Sequence, residues 1–308
     1  MDIVSHLNDR LLFAVPKKGR LYQQCVDLLK GADIKFNRSN RLDIALCTNL
    51  PIALVFLPAA DIPRFVGEGR VSLGITGQDQ VAEAGISVDE VCNLGFGSCK
   101  LQVEVPDQGQ FTDPRQLIGK SIVTSFTNLA TDYFRKLEAE ETNGVGADEQ
   151  TQSSKPLKTT IKYVGGSVEA SCALGIADAV VDLVESGETM RAAGLKAIAT
   201  IFETSAVLIA SQHPTHKDLL ELIVNRIKGV IAAGKYVLCN YNCPRSKLDS
   251  VLKITPGRRA PTISPLEEDD WVAVSSMVEK KRIAEVMDQL RNKGAEDILV
   301  FSISNCRV

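Results

Sequence analysis

The chain has no apolar run approaching the roughly 18 residues that a membrane-crossing helix needs. Its opening stretch, MDIVSHLNDRLLF, has no basic start followed by a long apolar core, so it does not read as a signal peptide. A soluble, cytoplasmic protein is the expectation, with no membrane partner. Excess charge is also missing. A formal net charge of −3 gives no polyanion or nucleic acid anything to bind, so a phosphate site would have to be built locally. Histidine is scarce, with three residues at positions 6, 213 and 216, and none is placed to activate Cys99 as a hydrolase nucleophile. The eight cysteines (Cys25, Cys47, Cys92, Cys99, Cys172, Cys239, Cys243 and Cys306) are scattered, and without a secretory signal they are expected as reduced thiols. Cys239 and Cys243 in CNYNC, like His213 and His216 in HPTH, lack the second pair that a closed zinc site requires.

What is present is an ordinary globular composition, 44% apolar and 24% charged over 308 residues, long enough for two or three domains. Strand and helix signals alternate. LLFAVP (11–16) is an apolar strand, and GRLYQQCVDLLKGA (19–32) follows with helical spacing of Leu21, Cys25, Leu28 and Leu29. LDIALC, IALVFLP and VSLGITG predict further strands, with DIPRFVGEG between the last two as a short helix capped by Asp61. This rhythm predicts an α/β domain with a mostly parallel sheet. A second α/β series runs from KLQVEVP (100–106) through SIVTSF, the helix NLATDYFRKLEAEE, TIKYVGG, the helix SVEASCALG and the strand ADAVVDLV to a helix at ETMRAAG. Within it, Glu140 to Pro156 is polar and predicts a surface loop. AVLIAS (206–211) predicts a strand returning to the first domain. After the long amphipathic helix HKDLLELIVNRIKGVIAAGK (216–235), the order from Tyr236 to Ser304 is βαββαβ, the ferredoxin-like pattern.

The stretch VVDLVESGETM (180–190) carries a buried strand straight into a small polar turn, with Asp182 inside the strand. Gly187 permits a positive φ, and successive N–H groups there can surround a phosphate, with Ser186 and Thr189 adding hydroxyls. Asp182 lies within reach of a sugar diol or a phosphate-bound metal. The competing reading is that Ser186 caps a helix, with Glu188 or Thr189 completing the cap.

From Gly165 to Met190, Glu169, Gly175, Ala177, Val180, Asp182, Ser186, Gly187 and Thr189 have a spacing that closely resembles the signature of the ATP phosphoribosyltransferases. PKKGRL (16–21), GITGQD (74–79), LGFGSCKLQVEVP (94–106) and APTISPL (260–266) extend the resemblance over essentially the whole chain. The βαββαβ tail marks the long, self-regulated form. Ser72 departs from the pattern, standing where an aspartate is common.

The resemblance implies two domains like those of type II periplasmic binding proteins, forming a cleft. The expected boundaries are 1–97 with 198–223, then 98–197, then a regulatory domain over 224–308. It further implies that N1 of ATP displaces pyrophosphate from phosphoribosyl pyrophosphate (PRPP), the first step of histidine biosynthesis, with Mg2+ accompanying PRPP. Asp182, Ser186, Gly187, Glu188 and Thr189 are then the expected PRPP contacts. Asp182 and Glu169 suit the ribose hydroxyls or the adjacent metal, and their charge suits oxocarbenium character at the anomeric carbon. Lys17, Arg20 and Lys100 are candidates to face the pyrophosphate, Gly19 to let backbone approach phosphate, and Arg41 to meet a nucleotide phosphate. Without the resemblance, the cations of PKKGRL would read equally well as solvated charges at a helix start. Histidine as an inhibitor bound near APTISPL and WVAVSSMV, and dimers grouped into hexamers, complete what it implies. A solute-binding protein of the same fold and an inactive regulatory subunit are the alternatives.

Overall fold

In a computed structural model the described residues are 7, 9–38, 42–142 and 156–307. They form two compact units: Met1–Cys25 with Arg38–Leu46 and Pro51–Thr215, and Val26–Asn37 with Cys47–Leu50 and His216–Val308.

The first unit contains two lobes, each built on a sheet. In the first lobe, β1 (Leu11–Pro16) is followed by α1 (Tyr22–Gly31), whose residues from Val26 onward belong to the second unit, and then by β2 (Ile44–Leu46), β3 (Ile52–Leu57), α2 (Ile62–Gly67), β4 (Leu73–Gly77), α3 (Gln78–Ala84) and β5 (Asp89–Asn93). The second lobe comprises β6 (Cys99–Pro106), β7 (Ser121–Thr124), α4 (Thr127–Thr142), β8 (Thr160–Tyr163), α5 (Ala170–Ala173), β9 (Ala179–Val184), α6 (Glu188–Ala192) and β10 (Leu195–Thr204). The chain then returns as β11 (Ala206–Ala210) to the first sheet, as AVLIAS predicts. The strand orders are β2-β3-β1-β4-β11-β5 and β10-β6-β9-β7-β8. This is the two-lobed architecture that the resemblance implies.

Neither sheet is mostly parallel. β1 runs parallel to β3 and β4, but β2 is antiparallel to β3, and β11 is antiparallel to both β4 and β5. In the second sheet β7 is parallel to β8 and β9, whereas β6 is antiparallel to β9 and β10. The loop of residues 47–51 is too short for a parallel crossover, and β11 enters from the second lobe, so both strands run backwards.

Several local expectations change. Asp61 does not cap α2: its backbone is already helical and its side chain makes no cap bond, so buried Ile62, Pro63 and Val66 hold that helix in place. The helix expected over SVEASCALG shrinks to Ala170–Ala173, between Ser167 and Gly175, both at positive φ. α4 runs to Thr142, so the predicted loop begins later, and its residues 143–155 lie outside the described ones. α3, β5 and β10 have no counterpart in the sequence reading. β5 is DEVCN, rich in strand-poor residues, and β10 contains two register shifts that break its alternation.

The second unit contains α7 (Lys217–Lys235), β12 (Tyr236–Pro244), α8 (Leu248–Leu252), β13 (Thr262–Pro265), β14 (Trp271–Glu279), α9 (Ile283–Asn292) and β15 (Glu296–Ser302). Its antiparallel sheet has the order β13-β14-β12-β15, the expected ferredoxin-like βαββαβ arrangement. Strict alternation along β12 buries Val237, Cys239, Tyr241 and Cys243 against Val272, Val274, Val286 and Leu290. All eight cysteines are free thiols. Among the described residues, no helix is long and apolar enough to cross a membrane.

Candidate active site

β9 lies between β6 and β7, which is why Ala179, Val180 and Val181 are wholly buried. At its end the chain turns through Ser186 and Gly187 into α6, with φ +75° at Gly187, as the phosphate-loop reading requires. A Cβ at Gly187 would also stand 2.6 Å from the Arg191 guanidinium. The cap reading holds in part as well: Ser186 Oγ accepts the Glu188 N–H at 3.3 Å. Arg191 donates to the Ser186 carbonyl at 3.2 Å, which steadies the turn.

Two adjoining cavities share this turn. The smaller, about 230 Å³, brings together Arg20, Glu169, Asp182, Ser186, Gly187, Glu188 and Thr189. The larger, about 620 Å³, is lined by Lys100, Gln102, Ser186, Gly187, Arg191 and, from the crossing strands, Glu203 to Ser205. Of the other expected cations, Lys17 pairs with Asp43 at 3.7 Å, and Lys17 and Gly19 are absent from both linings as described. Lys100 is engaged by Glu203 at 3.0 Å. Arg41 lies outside the described residues.

The structure adds residues that the sequence reading did not single out. Glu104, only 2% exposed, lines the smaller cavity with Asp182 and Glu169. Its position follows from strand register. Glu104 lies opposite Val180 and Gln102 opposite Asp182, so Gln102, Glu104 and Asp182 share one face of the β6–β9 pair. Leu101, Val103 and Val105 fill the core on the other face. The alternation in LQVEV contained this signal, because a carboxylate there must end on one face of a sandwiched strand. Burial, then the charges of Asp182 and Glu169, push the Glu104 carboxyl up to about 7. Burial also raises Asp182, against a lowering hydrogen bond from the Leu183 N–H at 2.8 Å, with the Glu169 charge raising it further. Burial lifts the Cys99 thiol to about 11 despite nearby Arg20, so it stays protonated and is no nucleophile at neutral pH.

The first lobe supplies Arg20, held by the Gly97 carbonyl and by Asp79 at 3.7 Å. Asp79 is fully buried, accepting from the Thr204 hydroxyl at 2.6 Å and the Gln80 amide at 2.9 Å. Gly77 makes room for it, since a Cβ there would collide with the Asp79 carboxylate. In GITGQD the sequence marked this turn, but not the carboxylate's partners, Arg20 and Thr204, which come from distant segments. Among the described residues, no group of three or more His, Cys, Asp or Glu side chains is arranged to hold a metal ion.

Comparison with known proteins identifies the family. The sequence profile described as ATP phosphoribosyltransferase matches residues 58–229, and the profile described as HisG, C-terminal domain, matches 233–305. The chain is 68% identical over 308 residues to an ATP phosphoribosyltransferase of Yarrowia lipolytica, and 60% identical over 309 residues to one of Saccharomyces cerevisiae, covering all of each chain in both cases. Its fold is similar to a chain in the ATP phosphoribosyl transferase (HisG:HisZ) complex from Thermotoga maritima, with a TM-score of 0.57 at 20% identity, covering 71% of this chain and 96% of that one. Full-length similarity to two yeast proteins and a profile match over more than half of the chain lead to one conclusion: the chain belongs to the ATP phosphoribosyltransferase family.

Proposed function

We propose that the cleft joins ATP to PRPP, releasing pyrophosphate and forming N1-(5-phosphoribosyl)-ATP, the first step of histidine biosynthesis. The observation that carries the residue assignment is the convergence of the Gly187 turn, Asp182, Glu169 and Arg20 on one cavity. The turn from Ser186 to Thr189 receives the 5-phosphate through backbone N–H groups and hydroxyls. Asp182 and Glu169 hold the ribose hydroxyls and face the ring as positive charge develops at the anomeric carbon, where their attraction strengthens. Arg20 and Lys100 face the departing pyrophosphate, Lys100 exchanging Glu203 for it, while Lys17 and Gly19 remain candidates for the pyrophosphate or ATP phosphates and Arg41 for a nucleotide phosphate.

Mg2+ fits this setting as a companion of PRPP, because magnesium is commonly held by one or two carboxylates together with substrate phosphates and water. Bound there, it would neutralise charge on the leaving pyrophosphate. Asp182 and Glu169, which line the smaller cavity together with Glu104, Glu185 and Glu188, suit that arrangement better than a cage made wholly by protein.

The proposal extends to a cytoplasmic homo-oligomer of dimers grouped into hexamers, with histidine as inhibitor bound by the βαββαβ unit. In it, the catalytic domains are 1–97 with 198–223 and 98–197, and the regulatory domain is 224–308. Incubation with ATP, PRPP and Mg2+ tests the reaction: pyrophosphate and an N1-substituted adenosine chromophore are expected together. Binding of PRPP without either product would favour the solute-binding alternative.

A further inference from the structure

Glu83, in the last turn of α3, belongs to the first lobe, and α4 opens the helical layer of the second. Its carboxylate accepts the backbone N–H groups of Asn128 and Leu129, each at 2.9 Å, and the Thr127 hydroxyl at 3.3 Å. The Asn128 side-chain amide donates back to the Glu83 carbonyl at 2.8 Å. These are the first N–H groups of a 16-residue helix, which have no acceptor in their own helix, and a carboxylate also suits the positive end of that helix.

The lobes are joined as well by the two crossing segments, after β5 and between β10 and β11. Those crossings are tied to the first lobe by the Arg20 bond to the Gly97 carbonyl and by the Thr204 bond to Asp79. Two covalent crossings leave rotation about the line between them open, and a third attachment away from that line removes it. The smaller cavity takes Arg20 from the first lobe and Asp182 and the Ser186–Thr189 turn from the second, so such a rotation would change the distance between them.

We propose that Glu83 is a positioning residue for phosphoribosyl transfer, setting the alignment of the two lobes through the first turn of α4. The inference rests on the cleft being the active site. In-line displacement needs its reactants within a few tenths of an ångström of the productive geometry, so a small misalignment acts on turnover more than on binding. The turn expected to hold the 5-phosphate of PRPP lies wholly within the second lobe, so ground-state binding of PRPP should change less than turnover.

The test uses the full chain with Glu83→Ala, Glu83→Gln and Asn128→Ala. Steady-state kinetics should show kcat reduced roughly tenfold or more in Glu83→Ala and less in the other two, with KM for PRPP changed less than about threefold. Spin labels at the exposed positions Arg70 and Lys136, one on each lobe, should show a broadened distance distribution in Glu83→Ala without substrate. If Glu83→Ala does not fold, the same two readouts on Glu83→Gln and Asn128→Ala decide. An unchanged distance distribution, or a changed one with unimpaired kcat, overturns the positioning role. Gly187→Val is the control for the site itself: an unchanged KM for PRPP in that variant would overturn the site reading, not the lobe alignment.

Discussion

At the scale of single residues, the turn and the buried carboxylates make distinct predictions. Gly187→Val forces a branched side chain into φ +75° and against Arg191, and Thr189→Ala removes a hydroxyl from the same turn. Loss of one charge-assisted hydrogen bond costs about 1.5–3 kcal/mol, so KM for PRPP should rise roughly ten- to hundredfold while KM for ATP changes little. Asp182→Asn should lower kcat more than it weakens PRPP, because its charge matters most when the ring is cationic. An unchanged kcat with a raised KM would leave Asp182 a binding role alone. Glu104 yields a stability prediction. Below pH 4.5 its carboxyl is protonated whether folded or unfolded, and no penalty arises. Between pH 4.5 and about 7 the unfolded chain releases the proton more readily, so stability falls as pH rises, and the loss is complete above that window. Glu104→Gln removes the titration. Its Tm relative to the parent should therefore be higher at pH 8 than at pH 5, by the equivalent of about 2–3 kcal/mol. A pH-independent difference would show that the carboxyl is not desolvated as its burial implies.

At the scale of elements, the junction of β4 and α3 shows how local sequence and distant partners divide the work. All five residues of β4 are buried, and Gly77 ends the strand with an ordinary extended backbone, so nothing in its φ demands glycine. The requirement comes from the Asp79 carboxylate folding back over it. Gly77→Ala should displace Asp79 from Thr204 and Arg20, lowering kcat/KM by roughly tenfold, equivalent to about 1.4 kcal/mol. Full activity in that variant would mean that Arg20 holds its place without Asp79. The same elements show what pattern reading could reach. β1, β4, β12 and β14 carry strong apolar or alternating signals and emerge where they were expected. β10 did not, since its bulges shift the alternation twice, and α5 shrank because Ser167 and Gly175 turn the backbone at both ends.

At the scale of the whole molecule, the βαββαβ unit has its own core of Tyr241, Val251, Val274 and Leu290, with the Tyr241 and Thr255 hydroxyls bonded at 2.7 Å. A regulatory role for it predicts a separable behaviour. A chain ending after Lys235 retains α7, whose Val230 side chain lies close against Gly31. If the tail carries the histidine site, this shortened chain should keep activity and lose inhibition by histidine, a coupling of about 1–3 kcal/mol. Histidine inhibition that persists undiminished in the shortened chain would place the effector site elsewhere.

The sequence by itself determined the order of the elements other than α3, β5 and β10, the ferredoxin-like tail and the polar turn from Ser186 to Thr189. Each of these is written in contiguous residues, through periodicity or through a glycine where the backbone must turn. Tertiary structure alone decided which charges meet. Strand register brings Glu104 to the face shared by Gln102 and Asp182, the return of the chain brings Thr204 onto Asp79, and the packing of α3 on α4 brings Glu83 to the N–H groups of Asn128 and Leu129. Asp79 and Thr204 lie 125 residues apart, and Glu83 and Asn128 lie 45 apart. No local pattern encodes such pairings, because the free energy that selects them comes from burial and from hydrogen bonds that exist only after the sheets have formed.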